Sequence, residues 1–141
     1  MNVSKKESER EFIERVKVDV AAGLRLMSRD PVSESPHEEA DDLFFEAIGI
    51  AVGIYMWHKK EYGNCWFDKP ARDVEVAASF GLQKFAERIY SSIFLRKTPR
   101  PESGKLLSNA CDAINFAAMV AAIVIKQERA TEEEKGGEPC Q

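Results

Sequence analysis

Four stretches of the chain carry apolar residues at the three- and four-residue spacing of an α-helix, and no other feature constrains the fold as strongly. In the first stretch the apolar residues are Phe12, Val16, Val20, Leu24 and Met27, which share one helix face. Similar patterns predict helices over residues 5–28, 35–61, 74–95 and 105–131. No alternating pattern is long enough to predict a strand. We therefore expect an all-α protein, a four-helix bundle with up-down topology.

Short polar motifs mark the starts of the first two helices. Ser4 and Glu7 have the spacing of a capping box, in which each side chain accepts a hydrogen bond from the other residue's backbone N–H. Ser35 and Glu38 repeat that spacing, with Pro36 at the first helical position. These motifs predict that the first helix begins at about residue 5 and that the second begins at Ser35.

Three glycines indicate how the second helix packs and ends. Gly49 and Gly53 lie on one face of that helix, in a stretch that is apolar nearly all round, broken by Glu46. Because glycine has no Cβ, the two residues allow a neighbouring helix to approach closely. Gly63 follows the last periodic residues and is expected to end the helix.

Length and composition limit the classes of protein that fit this chain. With 141 residues it suits one domain, which we place at 1–131, followed by an acidic, disordered tail at 132–141. A net charge of −4 argues against non-specific DNA binding, which needs a basic surface. The three cysteines are widely spaced, which argues against a disulfide framework or a zinc site and suits the reducing cytoplasm.

The longest apolar run, residues 116–125, is too short to predict a membrane span. It contains ten residues, whereas a span needs about 20. The sequence therefore predicts a buried core helix here and no contact with a membrane. The charged N-terminal residues likewise do not have the pattern of a signal peptide.

Acidic residues on two predicted helices form the first candidate site. Carboxylates spaced three and four residues apart share a helix face, and carboxylate oxygens are ligands that Mg²⁺ prefers. The predicted metal ligands are Glu39, Asp42, Glu46 and Asp112. In the alternative interpretation, the acidic first turn is solvated and favoured by the helix dipole, while Glu46 and Asp112 pair with Lys84 or Arg88.

A basic and aromatic segment between residues 57 and 72 is the second candidate site. Its composition is that of a loop that stacks a nucleobase and holds a phosphate. The residues concerned include Trp57, Lys60, Tyr62 and Trp66. In the alternative interpretation, the cations favour the C-terminal end of a helix and the aromatic rings belong to the core.

Several short motifs, in order along residues 57–125, resemble a known family. They are Glu61-Tyr62-Gly63, the pair Lys84 and Arg88 on one helix, and Asp112 with Asn115-Phe116-Ala117. This order resembles the nucleotide-modification-associated domains of phages and bacteria, which are similar in turn to MazG-like all-α nucleotide pyrophosphohydrolases. The resemblance implies a nucleotide ligand at Tyr62, Gly63, Lys84, Arg88, Asp112 and Asn115. The MazG-like pattern has a carboxylate where Asn109 stands, which leaves binding without hydrolysis open beside Mg²⁺-dependent hydrolysis.

Together these features predict a pocket between helices that binds a nucleotide or a nucleotide-derived small molecule. The predicted ligand-binding residues are Trp57, Lys60, Tyr62, Gly63, Trp66, Lys84, Arg88, Asp112 and Asn115. If the protein is an enzyme, the resemblance implies a nucleoside triphosphate pyrophosphohydrolase. The alternative is a protein-binding module, such as a phage inhibitor of a host defence protein. The apolar surface of the second and fourth helices predicts a homodimer.

Overall fold

Four α-helices contain most of the residues that the structure, a computed structural model, describes: 6–28, 38–63, 66–95 and 103–136. The helices are α1 (Glu9–Ser28), α2 (Glu38–Tyr62), α3 (Ala71–Phe94) and α4 (Ser103–Gly136). None of the described residues forms a strand. The prediction of an all-α fold with four helices is therefore confirmed.

The chain divides into two compact units, Met1–Gly63 and Asn64–Gln141, and each holds one pair of helices. In the first unit α1 packs on α2, and in the second α3 packs on α4. Both pairs are antiparallel. In the first unit Lys17 pairs with Glu46, and Arg25, which comes later in α1, pairs with Asp42, which comes earlier in α2. The two helices therefore run in opposite directions. Whether residues 1–131 act as one domain stays a prediction.

The start of α1 differs from the sequence-based expectation. The helix begins at Glu9, four residues later than predicted, and the Ser8 hydroxyl accepts a hydrogen bond from the Glu11 backbone N–H at 3.2 Å. Ser8 is thus the N-cap of α1, and Glu7 forms an ion pair with Arg15 at 3.0 Å. Ser4 lies outside the described residues, but the predicted start of the helix at about residue 5 is wrong, because Ser8 has the same capping chemistry and lies closer to the apolar pattern.

Other helix ends agree with the sequence more closely. Gly63 follows α2 with φ of 68°, a conformation that favours glycine, and its N–H donates to the Lys59 carbonyl at 2.7 Å. Gly63 therefore ends α2 as predicted. α3 begins three residues earlier than expected, directly after Pro70. The second predicted capping box begins at Ser35, outside the described residues.

α4 is longer and less buried than the sequence predicts. It continues to Gly136, so the first five residues of the predicted disordered tail are helical, and residues 137–141 lie outside the described part. Four of these five residues are Glu or Lys, which are strong helix formers. The expectation of a wholly buried run at 116–125 is wrong, because Ile123 is fully buried while Val124 and Ile125 are each more than 40% exposed.

The partial burial of α4 follows from its packing. Contact with α3 covers one side of the helix and leaves the apolar residues on the other side exposed. By length and composition alone, Gly104–Gly136 passes a test for helices that can cross a membrane. Core helices of soluble proteins pass the same test, so this property does not assign α4 to a membrane.

The close approach predicted at Gly49 and Gly53 is present between α1 and α2. A Cβ on Gly49 would lie 2.7 Å from the Lys17 carbonyl oxygen, and one on Gly53 would lie 3.1 Å from the Ile13 Cα. Both glycines are buried, beside Phe12, Val16 and Ala21 of α1. The two backbones are therefore in contact along this face, with no room for a side chain at Gly49.

Candidate functional site

A pair of stacked aromatic rings forms the base of the α3–α4 unit. The rings of Phe85 and Phe116 have centroids 5.7 Å apart and planes inclined by 22°. A Cβ on Gly81 would lie 2.7 Å from the Phe116 ring, so the ring is seated directly against the α3 backbone. This contact fixes the register of α4 relative to α3.

Two cations on α3 lie over the Phe85 ring. The Lys84 ammonium is 5.5 Å and the Arg88 guanidinium carbon 5.2 Å from the ring centroid. Cation–π attraction of this kind contributes about 0.5–1 kcal/mol at exposed sites. Phe85 therefore holds both positive groups near one another, one helical turn apart on α3.

These cations line a groove between α3 and α4, of about 670 Å³, which we call the α3–α4 groove. Its lining residues are Lys84, Glu87, Arg88, Ser91, Ser92, Lys105, Ser108 and Asn109. All of these described residues are polar or charged, and they include the cations Lys84, Arg88 and Lys105 and the carboxylate of Glu87. The groove is open to solvent, so an anionic ligand can enter it without a conformational change.

The start of α4 adds to the positive character of the groove. α4 begins at Ser103, so Lys105 lies in its first turn, where backbone N–H groups have no partner within the helix. The N-terminal end of a helix carries partial positive charge and favours anions. The groove thus combines side-chain cations, hydroxyl and amide donors, and a helix terminus of the same sign.

The described lining of the groove contains two of the predicted ligand-binding residues and six other residues. Lys84 and Arg88 line it as predicted, but Asp112 and Asn115 lie half-buried on α4 beyond its lining. The sequence reasoning named Asn109 only for its place in the MazG-like pattern, and it missed the remaining five: Glu87, Ser91, Ser92, Lys105 and Ser108. The sequence did contain a signal for these residues. On both α3 and α4 the polar side chains lie three and four residues apart, which places them on one face of each helix.

In the first unit, the predicted aromatic and basic residues contact one another and the core. Trp57 packs against the buried Phe12 ring, with centroids 5.5 Å apart. The Lys60 ammonium is 5.2 Å from the Trp57 ring centroid and 5.5 Å from that of Phe12, and the Arg15 guanidinium carbon lies 5.1 Å from the latter. These contacts favour the interpretation of Trp57 as a packing residue.

Three further predicted ligand-binding residues, Tyr62, Gly63 and Trp66, lie close in sequence to residue 63, where the first unit ends. Tyr62 is the last residue of α2, and Gly63 follows it. Trp66 makes an edge-to-face contact with Phe67, at 5.9 Å between centroids. The Lys126 ammonium is 3.9 Å from the Phe67 ring centroid and donates to the Phe67 carbonyl at 2.8 Å. Lys126 thus ties this segment to α4.

Two of the predicted metal ligands are engaged in ion pairs within the first unit. Lys17 donates to Glu46 at 3.3 Å, and Arg25 donates to Asp42 at 2.6 Å. The Glu46 carboxylate is therefore paired with Lys17 of the same unit. Glu39 is exposed on the first turn of α2. Over the described ranges, no group of three or more His, Cys, Asp or Glu side chains is placed to hold a metal.

Lys17 is held between two carboxylates. Its ammonium lies 2.7 Å from Glu14 and 3.3 Å from Glu46, and only 17% of its side chain is exposed. The hydrogen bond to Glu14 contributes most to raising the pKa of Lys17 above its ordinary value, and the hydrogen bond to Glu46 adds to it. Together they outweigh partial burial, which lowers the pKa. The ammonium is therefore fully charged at neutral pH and offsets the cost of placing Glu46 in an apolar stretch.

A double-mutant cycle on Lys17→Met and Glu46→Gln measures this pairing. We expect each single variant to lower the free energy of unfolding, and the two changes to be coupled by about 0.5–1 kcal/mol because the charges interact directly. Urea unfolding followed by circular dichroism gives the four stabilities. The pair Lys135→Met and Glu128→Gln on exposed parts of α4 serves as the control, and additive changes at Lys17 and Glu46 would contradict the assignment.

Cys111 is the free cysteine of the described residues, and its thiol is buried. Burial, with a smaller contribution from the charge of Asp112, raises the pKa of this thiol above its ordinary value. The thiol form therefore predominates at neutral pH. Since the thiolate is the reactive species, Cys111 is better suited to packing than to nucleophilic catalysis.

Searches against protein-family models, curated proteins and solved structures find no match to this chain. The resemblance to nucleotide-modification-associated domains therefore stays a prediction from short motifs. The groove geometry is independent of that resemblance.

Proposed function

We propose that this chain binds a nucleotide or a nucleotide-derived phosphorylated small molecule in the α3–α4 groove. The observation that carries the proposal is the group of cations among the described lining residues, Lys84 and Arg88 on α3 and Lys105 on α4. Phosphate groups are bound by such sets of cations and hydroxyl donors. A groove of about 670 Å³ lies within the usual size range of small-molecule sites.

Isothermal titration calorimetry with a panel of nucleotides tests this proposal. We expect ATP or a related phosphorylated nucleotide to bind the wild-type chain, and Arg88→Ala to weaken binding about tenfold, the loss typical of one hydrogen bond to a charged group. Arg129→Ala, which removes the same charge from the exposed C-terminal half of α4, is the matched control. Absence of heat with every nucleotide in the panel would refute the proposal.

Hydrolysis is a separate question from binding. Among the residues that the structure describes along the groove, Glu87 is the one carboxylate, and it accepts a hydrogen bond from Gln83 at 3.3 Å. Mg²⁺-dependent hydrolysis of a diphosphate normally uses several carboxylates to hold the ion. The described geometry therefore supports a binding function more than a hydrolytic one.

We also propose that the chain forms a homodimer through the exposed apolar side of α4. Ile114 and Ile125 are 36% and 47% exposed, and the exposed Ala118 and Ala121 lie between them at helical spacing. In a two-fold interface between antiparallel copies of α4, Ile114 of each copy would contact Ile125 of the other, and the small alanines would allow the helices to approach. The alternative, a protein-binding module such as an inhibitor of a host defence protein, stays a prediction.

Sedimentation velocity tests the dimer. We expect a species of about twice 15.9 kDa at micromolar concentration, and a monomer for Ala121→Glu, because a buried unpaired carboxylate opposes association. Ala130→Glu is the matched control, since nine residues are about two and a half turns and place Ala130 on the opposite side of α4. A wild-type monomer would contradict the proposal.

A further inference from the structure

The side of α3 that faces away from α4 carries large exposed side chains. Phe80 is 69% exposed, whereas Ala78 is buried, and residues two positions apart lie on nearly opposite sides of a helix. Since α3 packs on α4 within its unit, the buried side is the one that contacts α4. Alternating spacings of four and three residues define the exposed stripe, which we call the α3 seam: Val76, Phe80, Gln83, Glu87, Tyr90 and Phe94. Contact residues of a coiled coil have this spacing.

The two ends of the α3 seam differ in shape. At one end, Val76 and Phe80 line a shallow hollow of about 390 Å³. At the other end, the rings of Tyr90 and Phe94 are in contact, with centroids 4.9 Å apart, and the two residues are 56% and 68% exposed. The seam thus has a recess at its start and a projecting pair of aromatic rings at its end.

The α3 seam is symmetric about residue 85. Its apolar residues lie at equal distances on either side of that position, and so do Gln83 and Glu87. Two antiparallel copies of α3 related by a two-fold axis there would place Phe80 of each copy against Tyr90 of the other, and the hollow of each against the other's aromatic pair. At the centre, the Gln83 amide of each copy would donate to the Glu87 carboxylate of the other, so no like charges meet.

We infer that the α3 seam binds the α3 seam of a second copy of this chain in antiparallel orientation. The inference is separate from nucleotide binding and from the proposed α4 dimer, which uses a different helix. Because Phe and Tyr bury about 150–250 Å² each, covering the exposed parts of the three rings on both copies removes about 600–1,000 Å². Interfaces of that size are weak and reversible. A chain that uses both surfaces therefore assembles beyond a dimer at high concentration.

Sedimentation equilibrium of Ala121→Glu tests the inference, because this substitution disables the α4 interface and leaves the α3 seam intact. We expect a monomer at micromolar concentration and a dimer that forms with a dissociation constant of about 100 µM. Adding Phe80→Glu should weaken this association by at least about tenfold, because the carboxylate would be buried against a ring of the second copy. Phe44→Glu replaces a similarly exposed ring on α2 and is the matched control, and circular dichroism confirms that each variant is folded.

Substitutions at Gln83 in the same background test the orientation. In the antiparallel pairing, Gln83→Lys brings a positive charge to Glu87 of the other copy twice per dimer and should tighten the association about fivefold, whereas Gln83→Glu should weaken it by a similar factor. In a parallel pairing, residue 83 would meet itself, and both substitutions would weaken the association. Gln127→Lys and Gln127→Glu change the net charge equally on an exposed part of α4 and serve as controls.

Three results would overturn the inference. The first is a monomer at every concentration in the Ala121→Glu background, as expected if another part of this chain or a different protein covers the seam. The second is association that Phe80→Glu leaves unchanged or that Phe44→Glu weakens equally. The third is weakening by both substitutions at Gln83, which would exclude the antiparallel arrangement. Calorimetry with nucleotides is independent of all three, so the proposed function and this inference fail separately.

Discussion

Replacing Gly49 with alanine is expected to lower the free energy of unfolding by about 2 kcal/mol, within the usual range for overpacking. The added Cβ would lie 2.7 Å from the Lys17 carbonyl oxygen and 3.0 Å from the Lys17 Cα. Both are backbone atoms, so no side-chain rotation relieves the contact, and α1 must move away from α2. That movement disturbs the neighbouring ion pair between Lys17 and Glu46.

Gly23→Ala is the matched control for this experiment. Gly23 lies inside α1, and a Cβ there would meet nothing within 4 Å. Alanine favours a helix over glycine by about 1 kcal/mol, so this variant should be more stable than wild type. Urea unfolding followed by circular dichroism compares the two variants. Equal stabilisation at both positions would show that α1 and α2 are farther apart at Gly49 than described.

The double variant Lys84→Glu, Arg88→Glu is expected to reduce the affinity for ATP more than a hundredfold, which corresponds to about 2.7 kcal/mol. It changes the formal charge of the described lining residues by −4. Phosphate oxygens would then face the carboxylates of Glu87 and of the two replaced residues. Because both replaced side chains are exposed, the free energy of unfolding should fall by only about 1 kcal/mol, through loss of the contacts with the Phe85 ring.

A second double variant separates the groove from the charge of the whole chain. Arg129→Glu with Lys135→Glu changes the net charge by the same amount at the other end of α4. Titrations with ATP at low ionic strength, where long-range electrostatics are strongest, compare the two variants. A similar loss of affinity in both would indicate general repulsion of the ligand, and the groove would no longer be supported as the site.

The extent of the helices was largely predictable from the sequence, but their exact ends were not. Apolar spacing located all four helices, and Gly63 ended α2 as expected. The start of α1 was misplaced because Ser4 and Ser8 offer the same capping chemistry, and only the hydrogen bond from Glu11 to Ser8 distinguishes them. The end of α4 was misplaced because an acidic composition suggested disorder, although its residues are good helix formers.

The candidate site was only half predictable. Lys84 and Arg88 stood out because they lie one turn apart on a predicted helix. Lys105 and Ser108 did not, because their relation to α3 depends on the register that Phe116 adopts against Gly81 and Phe85. That register is a contact between residues more than thirty positions apart, and no local pattern encodes it.

The sequence by itself determined the helices and the end of α2 at Gly63. These features depend on backbone hydrogen bonds and side-chain size within a few residues of each position. The sequence also allowed a close approach at Gly49 and Gly53, but only the tertiary structure decided that α1 is the neighbour there. Only the tertiary structure decided which charges meet. It paired Glu46 with Lys17 and Asp42 with Arg25, which are 29 and 17 positions apart, and it brought Lys105 to the groove of Lys84 and Arg88. The physical reason is that charged side chains are long and adaptable, so their partners are set by the helix register that the apolar contacts impose.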